Sequence, residues 1–346
     1  MIPEYTKKKL VTFIKIKRSS ISLAVLLVIY ILSLFSEFIA NDKPLLIRYN
    51  SKNYWLSAFI LYSDKEFGGQ YDTEAQYRRL IDTDRFIKDK NNFIIFPPIP
   101  YGPNYIDLIE LEGFPPTAPS SEHILGTDNK GRDIFARILY GYRISITFAL
   151  ILLIVEILLG VIIGSIQGYL GGKVDLSIQR LIEILSSLPF LYIVILFSKV
   201  FGRSFTTLLV IMSIFNWIGL SYYMRSEYLK LKQLQFVEAA RSVGAGNIYI
   251  MYSEILPNAL VPVITFAPFS IIASISSLSA LDYLGFGLPP HIPTWGELIS
   301  QGMSNLSKYW LSVYPLAVLF GTLLLTAFVG EGVRNILDPK RYTRVE

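Results

Sequence analysis

The chain contains no cysteine among its 346 residues. That excludes disulfides, thiolate-ligated zinc and a cysteine nucleophile. Histidine is nearly absent too, with only His123 and His291, which is too little for a His-rich metal centre and a poor basis for a Ser-His-Asp triad. Charge is scarce: 17% of residues are Asp, Glu, Lys or Arg, against about a quarter in soluble domains. A phosphate loop is also missing. Gly171-Gly172-Lys173 is a superficial likeness, but no G-x-x-x-x-G-K-[ST] surrounds it, so this chain is not expected to bind ATP by itself. A formal net charge of +5 could suggest nucleic acid, but the basic residues sit at the ends of apolar segments rather than on one face.

What is present is apolar. Hydrophobic residues make up 52% of the chain and the mean hydropathy is +0.45, which together point to an all-α, multi-span membrane protein. A helix needs roughly 20 apolar residues to cross about 30 Å of hydrocarbon. Segments 21–40, 144–164, 181–200, 205–223, 259–281 and 311–330 qualify. The first follows Lys7, Lys8, Lys9, Lys15, Lys17 and Arg18, but its apolar stretch exceeds a signal peptide's, and Phe38-Ile39-Ala40 offers no A-x-A cleavage site. It reads as an uncleaved anchor.

With the amino terminus inside, segments 1–20, 165–180, 224–258 and 331–346 face the cytoplasm and hold 16 Lys and Arg, whereas the short outer pieces hold only Lys199, Arg203 and Lys308. The positive-inside rule therefore favours six spans with both termini cytoplasmic. The organisation is a tail (1–20), an anchor helix (21–40), an extracytoplasmic insertion and interfacial elbow (41–143), a core of five helices (144–330) and a second tail (331–346). Glu156 is costly in lipid and should face protein, as a pathway residue or as a polar contact to a partner subunit. Lys199 reads as snorkelling at a helix end.

The insertion is charged, aromatic and proline-rich, with Phe67-Gly68-Gly69, Phe96-Pro97-Pro98 and Phe114-Pro115-Pro116. Short strands are expected near 45–49 and 54–62 and a short helix near 73–81. This region could dock an external protein or cap the outer mouth of the chain's own membrane core.

The loop after the fourth span is the most telling stretch. Residues 231–243 are amphipathic and rich in helix formers, and Glu238 lies three residues before Arg241, within side-chain reach on a helix. Ala239 and Ala240 leave one face smooth for a partner backbone. Gly244 breaks the helix and Pro257 restricts its surroundings, giving a rigid knob able to pass on rigid-body movement.

Glu238-Ala239-Ala240-Arg241-Ser242-Val243-Gly244, followed by Ile255-Leu256-Pro257-Asn258, resembles the EAA loop of binding-protein-dependent ABC importer permeases, best in the oligopeptide/dipeptide branch. Leu125-Gly126-Thr127-Asp128-Asn129-Lys130-Gly131-Arg132-Asp133, Ser279-Ala280-Leu281-Asp282-Tyr283-Leu284-Gly285-Phe286-Gly287 with Trp295-Gly296, and Gly330-Glu331-Gly332-Val333-Arg334-Asn335-Ile336-Leu337-Asp338-Pro339 are similar to segments of that branch's second permease subunit. Lys43-Pro44-Leu45-Leu46 and Phe67-Gly68-Gly69 look like its microcin C and peptide type, while Asp282 and Glu254 depart from the commoner Ser and His. The resemblance implies the type I importer permease fold, a homologous permease as heterodimer partner, ABC ATPase domains carrying ATP and Mg, an extracytoplasmic substrate-binding protein and surrounding lipid. It also implies residence in a bacterial inner membrane and no catalytic, cofactor or metal site in this chain. Glu238, Ala239, Ala240, Gly244, Leu256 and Pro257 are then the ATPase-coupling residues. From the residues themselves, Asp128 is expected to cap a short helix starting near Asn129 and Arg132 to pair with a neighbouring carboxylate. Pro262 and Pro268 read as kinks. An ion-coupled secondary transporter is the runner-up, but it would favour internal repeats and charged midplane sites, neither of which is evident.

Overall fold

The structure, a computed structural model, describes residues 11–87, 89, 91–106 and 113–337. Lys7, Lys8, Lys9 and 338–346 of the second tail, Asp338 and Pro339 included, lie outside the described residues, whereas 331–337 continue the last helix. Helices α1 (Lys17–Leu34), α2 (Ile134–Leu170), α3 (Gly172–Ser187), α4 (Phe190–Phe201), α5 (Phe205–Leu231), α6 (Gln235–Ser242), α7 (Leu256–Tyr283), α8 (Trp295–Ser304) and α9 (Trp310–Leu337) are joined by short turns and one small sheet. Among the described residues, five helical segments are long and apolar enough to cross a membrane, or six if the bent pair α3–α4 counts as one span.

That pair corrects the expectation of a continuous helix over 181–200. The chain bends by 78° between α3 and α4. Leu188, which precedes a proline, is extended (ψ 128°), and Pro189 opens α4. Proline's ring disfavours the helical conformation in the residue before it, so an apolar run alone cannot carry the helix across this point.

The structure divides into two compact units. The first comprises residues up to Leu27, Ser145–Pro289 and the carboxy-terminal stretch from Phe320. Here α2 carries Gly160, Gly164 and Gly168 at intervals of four, on one face of the helix. A Cβ at Gly164 would lie 2.5 Å from the Ser221 carbonyl oxygen, and one at Gly168 would lie 2.4 Å from Tyr228 Cβ. In lipid, where hydrophobicity does not drive helices together, such small residues let backbones approach and pack. The stripe seats α2 against α5. Gly164→Val is expected to force the two helices apart at a cost of about 1–3 kcal/mol; thermal unfolding of the purified protein in detergent measures it, and an unchanged midpoint would contradict the close packing. Glu156, also on α2, accepts a hydrogen bond from Ser270 Oγ of α7 at 2.9 Å. Its polar partner therefore lies within this chain.

The second unit comprises Val28–Ile144 and Pro290–Leu319. Strands β1 (Leu46–Tyr49), β2 (Lys52–Trp55) and β3 (Phe93–Ile95) form an antiparallel sheet ordered β2-β1-β3. Asn50 and Ser51, with φ of 48° and 65°, make the two-residue hairpin turn whose twist suits right-handed strands. The expected strand over 54–62 stops at Trp55, because Leu56 takes φ +53° and Phe59 and Ile60 fold back to bond its carbonyl. The expected helix over 73–81 is reduced to Tyr77–Leu80, since backbone bonds from Asp64 to Thr73 and from Ala75 to Tyr62 hold its first residues extended. Ile47, Tyr49, Phe67, Tyr77, Leu80 and Phe86 fill a small aromatic core.

In the same unit, 126–133 is a turn rather than a helix start. Asp128 Oδ1 accepts from the amides of Lys130 (2.8 Å) and Arg132 (3.0 Å). The helix cap is Asp133, whose Oδ1 accepts from the Ala136 amide at 2.8 Å, because α2 begins at Ile134. Arg132 does pair with carboxylates: Asp128 at 2.5 Å and Glu297 of α8 at 3.0 Å. Arg137, fully buried, also contacts Glu297. Burial alone would lower the Arg132 pKa, but hydrogen bonding and charge attraction from Asp128, with Glu297, raise it above its ordinary value.

Candidate functional site

The residues expected to take part in coupling lie in the first unit, on the segment joining α5 to α7. Helix α5 starts under a Ser204 cap, whose Oγ accepts from the Thr207 amide at 3.0 Å, and runs to Leu231. The expected single helix over 231–243 is interrupted there. Residues 232–234 form a turn, with Leu234 extended (ψ 150°). The turn lets Lys232 reach back, its Nζ donating to the Gly168 carbonyl at 2.8 Å, and lets α6 bury Val237 completely.

Helix α6 is a one-sided element. Val237 sits in a cluster with Met224, Tyr228, Ile250, Met251 and Ile255, and Phe236, Ala240, Ala245 and Leu256 pack against it. Glu238 and Ala239 face outward, with Glu238 in the first turn, where a carboxylate suits the positive end of the helix dipole. The pair Ala239-Ala240 is thus split: Ala239 is open to a partner, whereas Ala240 is turned to the protein's own core. Among the described residues no ion pair joins Glu238 to Arg241. The Arg241 guanidinium instead lies 5.8 Å from the centre of the Tyr169 ring, within range of a cation–π contact.

The helix ends at Gly244, with φ +82°. The Ala245 amide bonds the Ala240 carbonyl and the Gly244 amide the Arg241 carbonyl, both at 3.0 Å. This is the paired-bond ending that a left-handed residue makes possible, with the small apolar Ala240 and Ala245 in contact with the same core. Pro257 is exposed at the second residue of α7, where, lacking an amide hydrogen, it cannot donate back into the turn before it. Just before it, residues Ile250–Ile255 form a π-helical turn, and the Leu256 amide reaches back to the Met251 carbonyl. The turn joins Asn247–Tyr249 to α7 without a gap, so the knob runs directly into a span.

Several participants carry no motif. Tyr169 Oη hydrogen-bonds Asn247 Oδ1 at 2.8 Å, Tyr228 Oη donates to the Met251 carbonyl at 3.0 Å, and Arg225 bonds both Asp175 oxygens at 2.6 Å. Val243 and Ile248, which flank Gly244, are 84% and 75% exposed. Isolated apolar residues on a polar loop are the available signal for these two. The fold therefore leaves Glu238, Ala239, Gly244 and Pro257 exposed along the segment joining α5 to α7 and packs Ala240 and Leu256 against the core. No group of three or more His, Cys, Asp or Glu able to hold a metal occurs among the described residues.

Residues 156–342 match the family described as binding-protein-dependent transport system inner membrane component. The chain is 40% identical over 328 residues to the inner membrane ABC transporter permease protein YejE of Escherichia coli, covering 94% of each. It is 38% identical over 366 aligned residues to the peptidoglycan transport system permease protein YejE of Agrobacterium fabrum, covering 98% of this chain and 94% of that one. The oligopeptide transport system permease protein OppC of Haemophilus influenzae is 37% identical over 226 residues, 64% of this chain and 73% of its own.

Proposed function

The chain belongs to the binding-protein-dependent transport system inner membrane component family, and from that membership we propose that it is the permease subunit of an ATP-driven importer for peptides or peptide-like compounds. The names of its relatives, which include peptidoglycan and oligopeptide transport systems, support the cargo class. A microcin C-like cargo is the narrower reading, suggested by the enlarged insertion. The chain pairs with a homologous permease, receives cargo from an external binding protein and is driven by separate ABC ATPase domains, its two termini lying in the cytoplasm. No observation favours an ion-coupled carrier.

The observation that carries the coupling role is the anchoring of the 235–257 segment. Its inner side is packed into the core of α2, α5 and α7, while its outer side presents an acid, a small residue and a left-handed glycine. A partner closing on ATP can displace such a body without deforming it, and the spans then exchange between inward- and outward-open arrangements. Nucleotide and binding protein bias that two-state equilibrium by binding one state better.

Glu238→Lys tests this. The variant should insert into the membrane normally, lose most uptake and retain less ATPase on co-purification. Undiminished uptake with a full complement of ATPase would remove Glu238 from the contact. Identifying what the associated binding protein holds tests the cargo assignment separately.

A further inference from the structure

The apolar run 55–61 has no part in coupling. Within the second unit, the part of α1 from Val28 onward exposes Val28, Ile31, Leu32 and Leu34, as a helix facing hydrocarbon does. That exposed face continues through Phe35 and Phe38, whose ring centres are 6.3 Å apart, and from Phe38 to Phe59 at 5.8 Å. Phe59 is 62% exposed and Leu61 72% exposed, with Trp55 and Ile60 also exposed beside them. Glu37, adjacent to Phe38, pairs with Arg143 at 2.9 Å. An ion pair is disfavoured at the hydrocarbon centre, and this one follows the end of α1 at Leu34, as expected towards the edge of an apolar layer. The contact with Phe38 puts Phe59 near the same end of that helix.

The loop is held in shape rather than left to adapt. The Leu56 amide bonds the Leu45 carbonyl at 2.9 Å, the Ser57 hydroxyl donates to the Pro44 carbonyl, and Tyr62 Oη donates to the Trp55 carbonyl at 3.0 Å. Leu56 at φ +53° is a costly conformation for a bulky side chain, and it turns the following residues outward. A contiguous apolar patch fixed in this way is not a surface for water. Its Trp and Phe content is that of the aromatic belts that mark membrane–water boundaries.

We propose that residues 55–61 are an interfacial anchor that seats on the lipid leaflet where α1 ends, extending the lipid contact of that helix onto the insertion. The patch is continuous with a lipid-facing helix through two ring contacts, which is why lipid is the occupant chosen.

The natural lack of cysteine makes the test direct. Phe59→Cys, Leu61→Cys and Lys65→Cys each accept a single nitroxide label in the full chain, assembled with its partner subunits in phosphatidylcholine vesicles. Lys65 is exposed and pairs with Asp72 at 2.6 Å, so it serves as the aqueous reference. Labels at 59 and 61 are expected to be relaxed more by oxygen than by a water-soluble nickel chelate, with the order reversed at 65. Nickel access at 59 and 61 equal to that at 65 would mean that the patch faces water. Shielding from both reagents would mean that a protein covers it. Either result overturns the lipid assignment, and neither depends on whether the complex transports peptides.

Discussion

Replacing Gly244 with valine is expected to abolish uptake while the protein still inserts and folds. A Cβ at this position meets nothing within 4 Å, so the substitution fails for a conformational reason and not a steric one. At φ +82° an L side chain with a branched Cβ pays about 1–2 kcal/mol for the left-handed state, too little to unfold the protein but enough to favour a different ending for α6. The Ala245 and Gly244 bonds that close the helix would then be lost, and Val243 and Ile248 would be re-aimed. Gly244→Asn is the control, because asparagine tolerates this conformation. It should retain much more uptake than the valine variant, as read by radiolabelled peptide accumulation in cells expressing equal amounts of each. Uptake at the natural rate with valine would show that the knob's shape is not what the ATPase reads.

Glu297→Ala is expected to be the most destabilising single change in the second unit. Glu297 faces Arg132 at 3.0 Å and also contacts Arg137. Removing it takes a counter-charge from two guanidinium groups at once, one of them fully buried. Breaking such a pair from one side costs about 3–5 kcal/mol, because the remaining charge stays out of water without compensation. Asp128 remains within 2.5 Å of Arg132, so the loss should fall mainly on Arg137, which lies 3.7 Å from that carboxylate. Thermal unfolding in detergent should show a large drop in midpoint, with added salt restoring little of it, since buried charges are poorly screened. Arg137→Met combined with Glu297→Leu should recover part of the loss. A midpoint unchanged in Glu297→Ala would mean that the network does not hold this unit together.

The apolar segments were visible in the sequence because hydrophobicity over 20 residues is a strong physical signal, and Gly244 was readable as a helix end because glycine has few other uses there. The break at Pro189 was hidden by the apolar residues on both sides, which satisfy a composition window whether or not the backbone is continuous. The turn at 232–234 lies inside good helix formers, and only the burial of Val237 and the bond from Lys232 require it. Gly160, Gly164 and Gly168 did have a readable spacing, but what they pack against depends on a partner helix some 60 residues away in sequence. The π turn over Ile250–Ile255 shifts hydrogen bonds by one residue and leaves little trace in composition. Ala240 matched its motif, but the motif does not say which alanine of the pair faces inward.

That π turn has a mechanical consequence. Because it joins the end of the loop to α7 without a gap, residues Asn247–Tyr283 form one helical segment of 37 residues, about 55 Å long at about 1.5 Å per residue. Hydrocarbon spans only about 30 Å. Close to half of this helix is therefore overhang, and a push on its exposed end would act along a helix continuous with the part that spans. What bending this segment allows falls at Pro262 and Pro268, each of which removes an amide donor from the helix interior.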